Sequence, residues 1–510
     1  MKHLISLTVL ATAVMAGSTA LATPDMSDYE RWRATTQQEF QNYLDETDKA
    51  FIGFLKQRWE SVDTESGNEE DTAPKPTTIP AAPPAPTPTA TPTPAPIPTP
   101  TDDPQNRPLT RSQDDPKDTP VANLQDRPDT AKPESIPETR PKPIQRITGP
   151  AADIDFYGHP VRLPYNTAMT RAFSATPSSE SIASAWEALA RSDFRPALEQ
   201  VRSVKASLSL SDWATARLVT DYAHAVARTA DSRVMLSWFM LVKLGYDARL
   251  AYNNQLYLLM PADDDVYGVT FFTLKGERYY ALPLDGEVRI AGQVYTYGKQ
   301  HETASQPIAF KTPERFTGAG AIQKRRLSYE QDGDAINLVV RYPAEQINYL
   351  NSMPQLNLPR YPILDLPAST RAELATQLTP LLQGQSEEVA VNRLLSFVQN
   401  AFDYQTDEQQ FQTENYLFPL ETLHYAASDC EDRAALFALL VHDLLGLPVV
   451  LLDYPGHVAA AVAFTGQVKG DSIVYTGRHY TVTDPTYINA RAGMTMPQFA
   501  GQTPEIVTVF

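Results

Sequence analysis

The stretch Ser428-Asp-Cys-Glu-Asp-Arg-Ala-Ala-Leu-Phe-Ala-Leu-Leu440, followed by Tyr454-Pro-Gly-His-Val-Ala-Ala-Ala-Val462 and His479-Tyr-Thr-Val-Thr-Asp-Pro-Thr-Tyr487, decides the fold of this chain. Cys430 is the only cysteine, and it stands where a helix should begin: Asp429 is a good N-cap, and an apolar run from Ala434 to Leu445 follows. A thiol there is placed to ionise, because the unpaired N–H groups and the helix dipole favour the thiolate. The helix is expected to end at Gly446, and Pro448 to open a strand, Val449 to Leu452. After the Tyr454-Pro455-Gly456 turn, His457 opens a second strand that runs to about Phe464. A polar connection through Gly466 and Gly470 leads to a third, Tyr480 to Thr483, closed by Asp484-Pro485. If the second and third strands pair antiparallel, His457 and Asp484 become neighbours. That arrangement supplies a nucleophile, a base beside it and a carboxylate to orient the base.

Other histidines fit the base role less well. His442 lies on the same helix twelve residues beyond Cys430, roughly 18 Å away at about 1.5 Å per residue. His479 is at the opposite end of its strand from Asp484, roughly 16 Å off. His424 precedes the helix, with no carboxylate clearly placed to orient it.

These three motifs resemble the transglutaminase-like superfamily, specifically its secreted bacterial branch. The likeness extends upstream through Phe402-Asp-Tyr-Gln-Thr-Asp407 and Phe418-Pro-Leu-Glu-Thr-Leu423 and covers roughly residues 385 to 500. The resemblance implies an α+β fold with a papain-like core, Cys430 as nucleophile, His457 as general base and Asp484 as the orienting acid. It also suggests where an oxyanion donor stands: besides the Cys430 backbone N–H, a side chain from Tyr404 or Gln405, the upstream position where related enzymes place theirs.

The chain has 510 residues, room for about three domains. Residues 1–22, a short basic start, an apolar run and Ala20-Leu-Ala22, read as a signal peptide, so a periplasmic or secreted protein is expected. No later apolar run is long enough to span a membrane. A formal net charge of −18 argues against nucleic acid and anionic membrane surfaces as partners.

Residues 23–62 carry Trp32, Phe40, Tyr43, Leu44, Phe51, Ile52, Phe54, Leu55 and Trp59 mostly three or four apart, an amphipathic helical segment with an aromatic face. Two uses stay open for that face: docking to a partner, or packing back on the globular part. Residues 63–145 are rich in Pro and Thr, as in Pro92-Thr-Pro-Ala-Pro-Ile-Pro-Thr-Pro100. Such a composition cannot bury enough apolar surface to fold and is expected to form a disordered, partly stiff tether.

Residues 146–300 read as an α+β domain, with helical patterns from 181 to 246 and then short strands. Asp231-Ser-Arg233, an apolar helix, Leu244-Gly245, successive strands and a closing Asp285 echo the order from Asp432-Arg433 to Asp484. The echo suggests a degenerate, inactive copy of the transglutaminase-like unit. Residues 301–360 alternate in the manner of strands and read as a β-rich bridge; 361–510 form the catalytic domain.

A thiolate with an adjacent imidazole attacks an amide or ester carbonyl to give a thioester, which water or an amine resolves. Hydrolysis of protein or peptide amides, envelope proteins or peptidoglycan peptides among them, is favoured over transamidation. The alternative is a non-catalytic envelope scaffold that grips peptides. Asp429, Glu431 and Asp432 would oppose thiolate formation if close to the sulfur, and are expected instead to cap the helix and pair with Arg433. That acidic cluster lacks the spaced ligands of a calcium loop, and the eight histidines show no metal-ligand spacing, so no metal or cofactor is called for.

Overall fold

The computed structural model describes residues 46–63, 65–66 and 149–510, apart from 287, 289, 291 and 365. The signal peptide expected over 1–22, residues 23–45 and nearly all of the stretch expected as a tether lie outside the described residues. What is described mixes helices and strands. Among the described residues no helix is long and apolar enough to cross a membrane.

The helix foreseen at Cys430 runs Cys430–Leu445 and stops at Gly446, whose φ of 66° is the left-handed conformation glycine adopts at no steric cost. It is buried almost all round, packed between the helix Glu387–Asn400 and a sheet. That sheet has the spatial order Ser472–Tyr475, Arg478–Thr483, His457–Val462, Val449–Tyr454, Glu505–Thr508, with every pair antiparallel. Tyr454 faces His457 across the Pro455-Gly456 turn, and Ala460 faces Thr483. The start of one strand therefore lies beside the end of the next, as the antiparallel expectation required.

Every residue of His457–Val462 is buried, because the helix covers one face and a second apolar cluster around Val450, Leu452, Met496 and Phe499 covers the other. Strands covered on both sides read as continuous apolar runs, and this one does. The supposed polar connection through Gly466 and Gly470 contains the strand Ser472–Tyr475, a run of four residues whose side chains are exposed or half-buried.

The preceding unit stacks four helices, Ser179–Ala190, Arg195–Leu208, Asp212–Val226 and Ala230–Leu244, against its own strands. The last helix ends at Gly245, again left-handed with φ 107°. The strands that follow run in space Thr270–Leu274, Glu277–Tyr280, Leu256–Leu259, Arg249–Tyr252, Val294–Thr296, with a single Met260–Tyr280 bridge joining the second and third. All pairings are antiparallel. Order and sense match the other sheet strand for strand.

Residues 46–62, just before the proline-rich stretch, belong to this unit. Residues 46–55 are helical, but the helical pattern expected over the segment stops there, and after a turn the chain enters a strand, Glu60–Val62. Phe51, Leu55 and Trp59 are buried, and Phe51 meets Trp186 edge to face at 5.0 Å. Asp48 accepts from the Trp186 indole and pairs with Lys243 beneath the surface. The described part of the aromatic face thus packs back on this chain, while Trp32, Phe40, Tyr43 and Leu44 lie outside the described residues. Glu60–Val62 pairs with Val294–Thr296 at one edge of the sheet, and Glu65–Ser66 pairs with Thr270 and Phe271 at the other. One short stretch clasps both edges, which removes them as templates for other chains.

Residues 149–164 return to the same unit, where the hairpin Ala151–Phe156/His159–Pro164 packs on the helices Asp212–Val226 and Arg195–Leu208. Residues 60–66 and 149–164, which flank the proline-rich stretch, thus both pack on this unit. The bridge expected over 301–360 holds one long hairpin, Ile322–Gln331/Asp334–Pro343, and also the helix Ala344–Leu350, which the alternation did not foretell. The hairpin is fixed to the helix Ala368–Leu382 by Gln377, which donates to Val339 O and accepts from Val339 N.

Candidate active site

Asp429 caps the central helix: its side chain takes the Asp432 N–H, and Asp432 Oδ2 accepts from Asp429 N at 3.3 Å. Cys430 follows at the first helical position, fully buried. The Val458 backbone N–H bonds its sulfur, placing the sulfur at the start of the strand that His457 opens. His457 Nε2 lies 2.8 Å from Asp484 Oδ2. Asp484 Oδ1 accepts from Thr486 N and Tyr487 N at 2.9 and 3.1 Å, so the carboxylate is held on both oxygens. With Nε2 committed to Asp484, the lone pair of a neutral ring sits on Nδ1.

Two supports escaped the sequence reading. Gln399 Nε2 donates to the carbonyls of Asp484, Tyr487 and Ala490 at 2.9, 2.9 and 3.1 Å, fixing the loop that carries the acid. Its one sequence signal is a polar residue on the apolar side of the helix Glu387–Asn400. Phe499 stacks on the His457 ring at 4.9 Å, with planes 14° apart; nothing in its sequence neighbourhood marks it.

The sulfur does not hydrogen-bond the imidazole. Its proton goes to Glu431 Oε2, 2.9 Å away. Burial, then the charges of Glu431 and Asp429, push the Cys430 thiol well above its ordinary range. The expectation that the helix terminus would favour thiolate is therefore corrected: desolvation and the adjoining carboxylates outweigh the dipole. The expected pairing of the three acids with Arg433 is revised too, since Arg433 donates to Ser428 Oγ, Gln399 O and Phe402 O.

Of the two oxyanion candidates, Tyr404 turns its hydroxyl inward and Gln405 is exposed. Tyr404 sits in a short strand parallel to Ala427–Ser428, opposite Ser428. Its hydroxyl is buried, lacks a hydrogen-bond partner among the described residues and lies within electrostatic range of Cys430. Gln405 turns its side chain to solvent. The other histidines are engaged elsewhere: His424 Nδ1 with Tyr342 Oη at 2.7 Å, and His442 stacked on Phe510, while His479 is exposed.

The structure adds Asp407 to the acidic cluster. Asp407, Asp429 and Glu431, all buried, bring one oxygen each within 4.8 Å of one another. Asp429 Oδ1 and Glu431 Oε1 have no partner among the described residues. Burial, then the Asp429 charge, pushes Asp407 up to about 8. These three carboxylates could hold a hard cation through oxygen ligands, a set that sequence spacing hid because Asp407 comes from a separate loop.

Compared with protein-family models, curated proteins and solved structures, the chain matches none.

Proposed function

We propose that this protein is an exported, transglutaminase-like cysteine enzyme with a papain-like core that cleaves protein or peptide amide bonds through Cys430, His457 and Asp484. The observation that carries the reading is the 2.8 Å His457–Asp484 pair at the strand end where the Cys430 sulfur bonds the next backbone N–H. Once Glu431 leaves the sulfur, the thiol proton passes to His457 Nδ1, and the sulfur bonds the carbonyl carbon as the C=O pair moves to oxygen. Cys430 N–H and the Tyr404 hydroxyl receive that oxyanion. Collapse breaks the C–N bond, the imidazolium protonates the leaving amine, and the thioester is cleaved by a water that gives its proton to the ring.

In this reading the first unit is a copy without chemistry. The first helical residue is Ala230, the second strand opens with Leu256, and the residue after the strand Glu277–Tyr280 is Ala281, where the other unit has Cys430, His457 and Asp484.

A second reading, a peptide-gripping scaffold, is favoured by the sealed sulfur and its bond to Glu431. Incubation with casein tests the first: wild type releases peptides, whereas Cys430→Ala and His457→Ala do not. Incorporation of a fluorescent amine without cleavage would instead assign transamidation. Wild type inert in both assays, with a thiol deaf to iodoacetamide up to its ordinary pKa, would favour the scaffold.

A further inference from the structure

A cavity of about 470 Å³ opens between the two units, a volume typical of ligand sites. The first unit contributes Asp264 and the second Glu414, Tyr416, Asp453 and Glu505; Arg360 lies between. It adjoins the site on two sides. Tyr416 lies within electrostatic range of Glu431, the residue on the sulfur, and Asp453 faces Val458, whose N–H bonds that sulfur.

The wall has one sign of charge to spare. Arg360 Nε is 2.6 Å from Asp264 Oδ2, so the one cation is matched by one carboxylate. Asp453 and Glu505 stand directly opposite each other on neighbouring strands, a like-charge pairing that weakens a sheet by itself. Burial, then the Glu505 charge, pushes Asp453 up to about 6, the sign of a carboxylate short of a counter-charge. The strand bearing Glu505 pairs on one side only among the described strands, and Glu505–Thr508 line the cavity. An extended peptide can lie along such an edge by main-chain hydrogen bonds.

We propose that this cavity is a subsite for a lysine or arginine side chain of an extended polypeptide substrate, received between Asp453 and Glu505 beside the site of cleavage. The assignment rests on the enzyme reading for the word substrate, but binding at the cavity does not. A site built for a cation rejects a neutral isostere because its carboxylates stay desolvated and unpaired.

The test uses full-length Cys430→Ala protein and a fluorescein-labelled alanine octapeptide carrying two lysines, read by anisotropy beside its norleucine counterpart. The lysine peptide should bind at least tenfold more tightly. Asp453→Asn with Glu505→Gln should remove most of that preference. Asp332→Asn with Asp334→Asn, the same charge change on a hairpin turn outside the cavity, should leave it. Equal binding of the two peptides, or equal losses in both double variants, would overturn the proposal. The paired substitutions relieve a repulsion, and a melting curve at or above the parent's shows that they fold. If peptides bind as expected while wild type cleaves nothing, the enzyme reading fails and the subsite stands; cleavage indifferent to lysine does the reverse.

Discussion

The proton on Cys430 faces Glu431 and not the imidazole, so Glu431 sets how readily the sulfur reacts. Glu431→Gln removes the nearest negative charge, and iodoacetamide should label Cys430 in that variant at lower pH than in wild type, read by intact-protein mass. Tyr404→Phe should lower kcat about a hundredfold with a smaller change in KM, since the lost hydroxyl serves the oxyanion and not the ground state. Glu421 is fully buried and pushed up to about 8 by burial. Its folded pKa lies above the unfolded value of 4.5, so its contribution to stability is full below the unfolded value and is lost as pH rises through about 8. Melting temperature should fall as pH rises from about 4.5 to about 8, and Glu421→Gln, which can still accept from Phe418 N, should flatten the fall.

At the scale of elements, the helix Cys430–Leu445 and the His457 strand were legible because burial on both sides leaves long apolar runs with turn or capping residues at their ends. The strands Ser472–Tyr475 and Glu505–Thr508 were not, because each is only four residues long and no side chain in either is fully buried. The meeting of His457 and Asp484 followed from strand pairing, but the state of the sulfur did not: Glu431 and Asp407 reach Cys430 and Asp429 by rotamer and loop path, to which residue spacing is blind. The helix at 46–55 is tied down by Asp48, buried against Lys243 and His301. Asp48→Ala leaves Lys243 buried without this carboxylate and should cost about 3–5 kcal/mol in urea unfolding. The acidic cluster predicts a further outcome. If Asp407, Asp429 and Glu431 take a hard cation, calcium should raise the melting temperature of wild type and leave Asp407→Asn unchanged.

Across the whole molecule, two sheets share one strand order, and the acidic cavity opens between the units that carry them. Sequence order hinted at the repetition through two apolar helices ending in Leu-Gly, but the strand order that makes the likeness concrete arises from pairings between distant residues.

The clasp at residues 60–66 carries its own consequence for assembly. Glu60 must wait for Thr296 and Glu65 for Phe271, so the stretch that emerges early from synthesis finds its place late. Loop closure over such separations is slow to be rewarded. Until then both rims of the first sheet stand bare, and the nascent chain would depend on dilution or a holding factor to avoid joining its neighbours edge to edge.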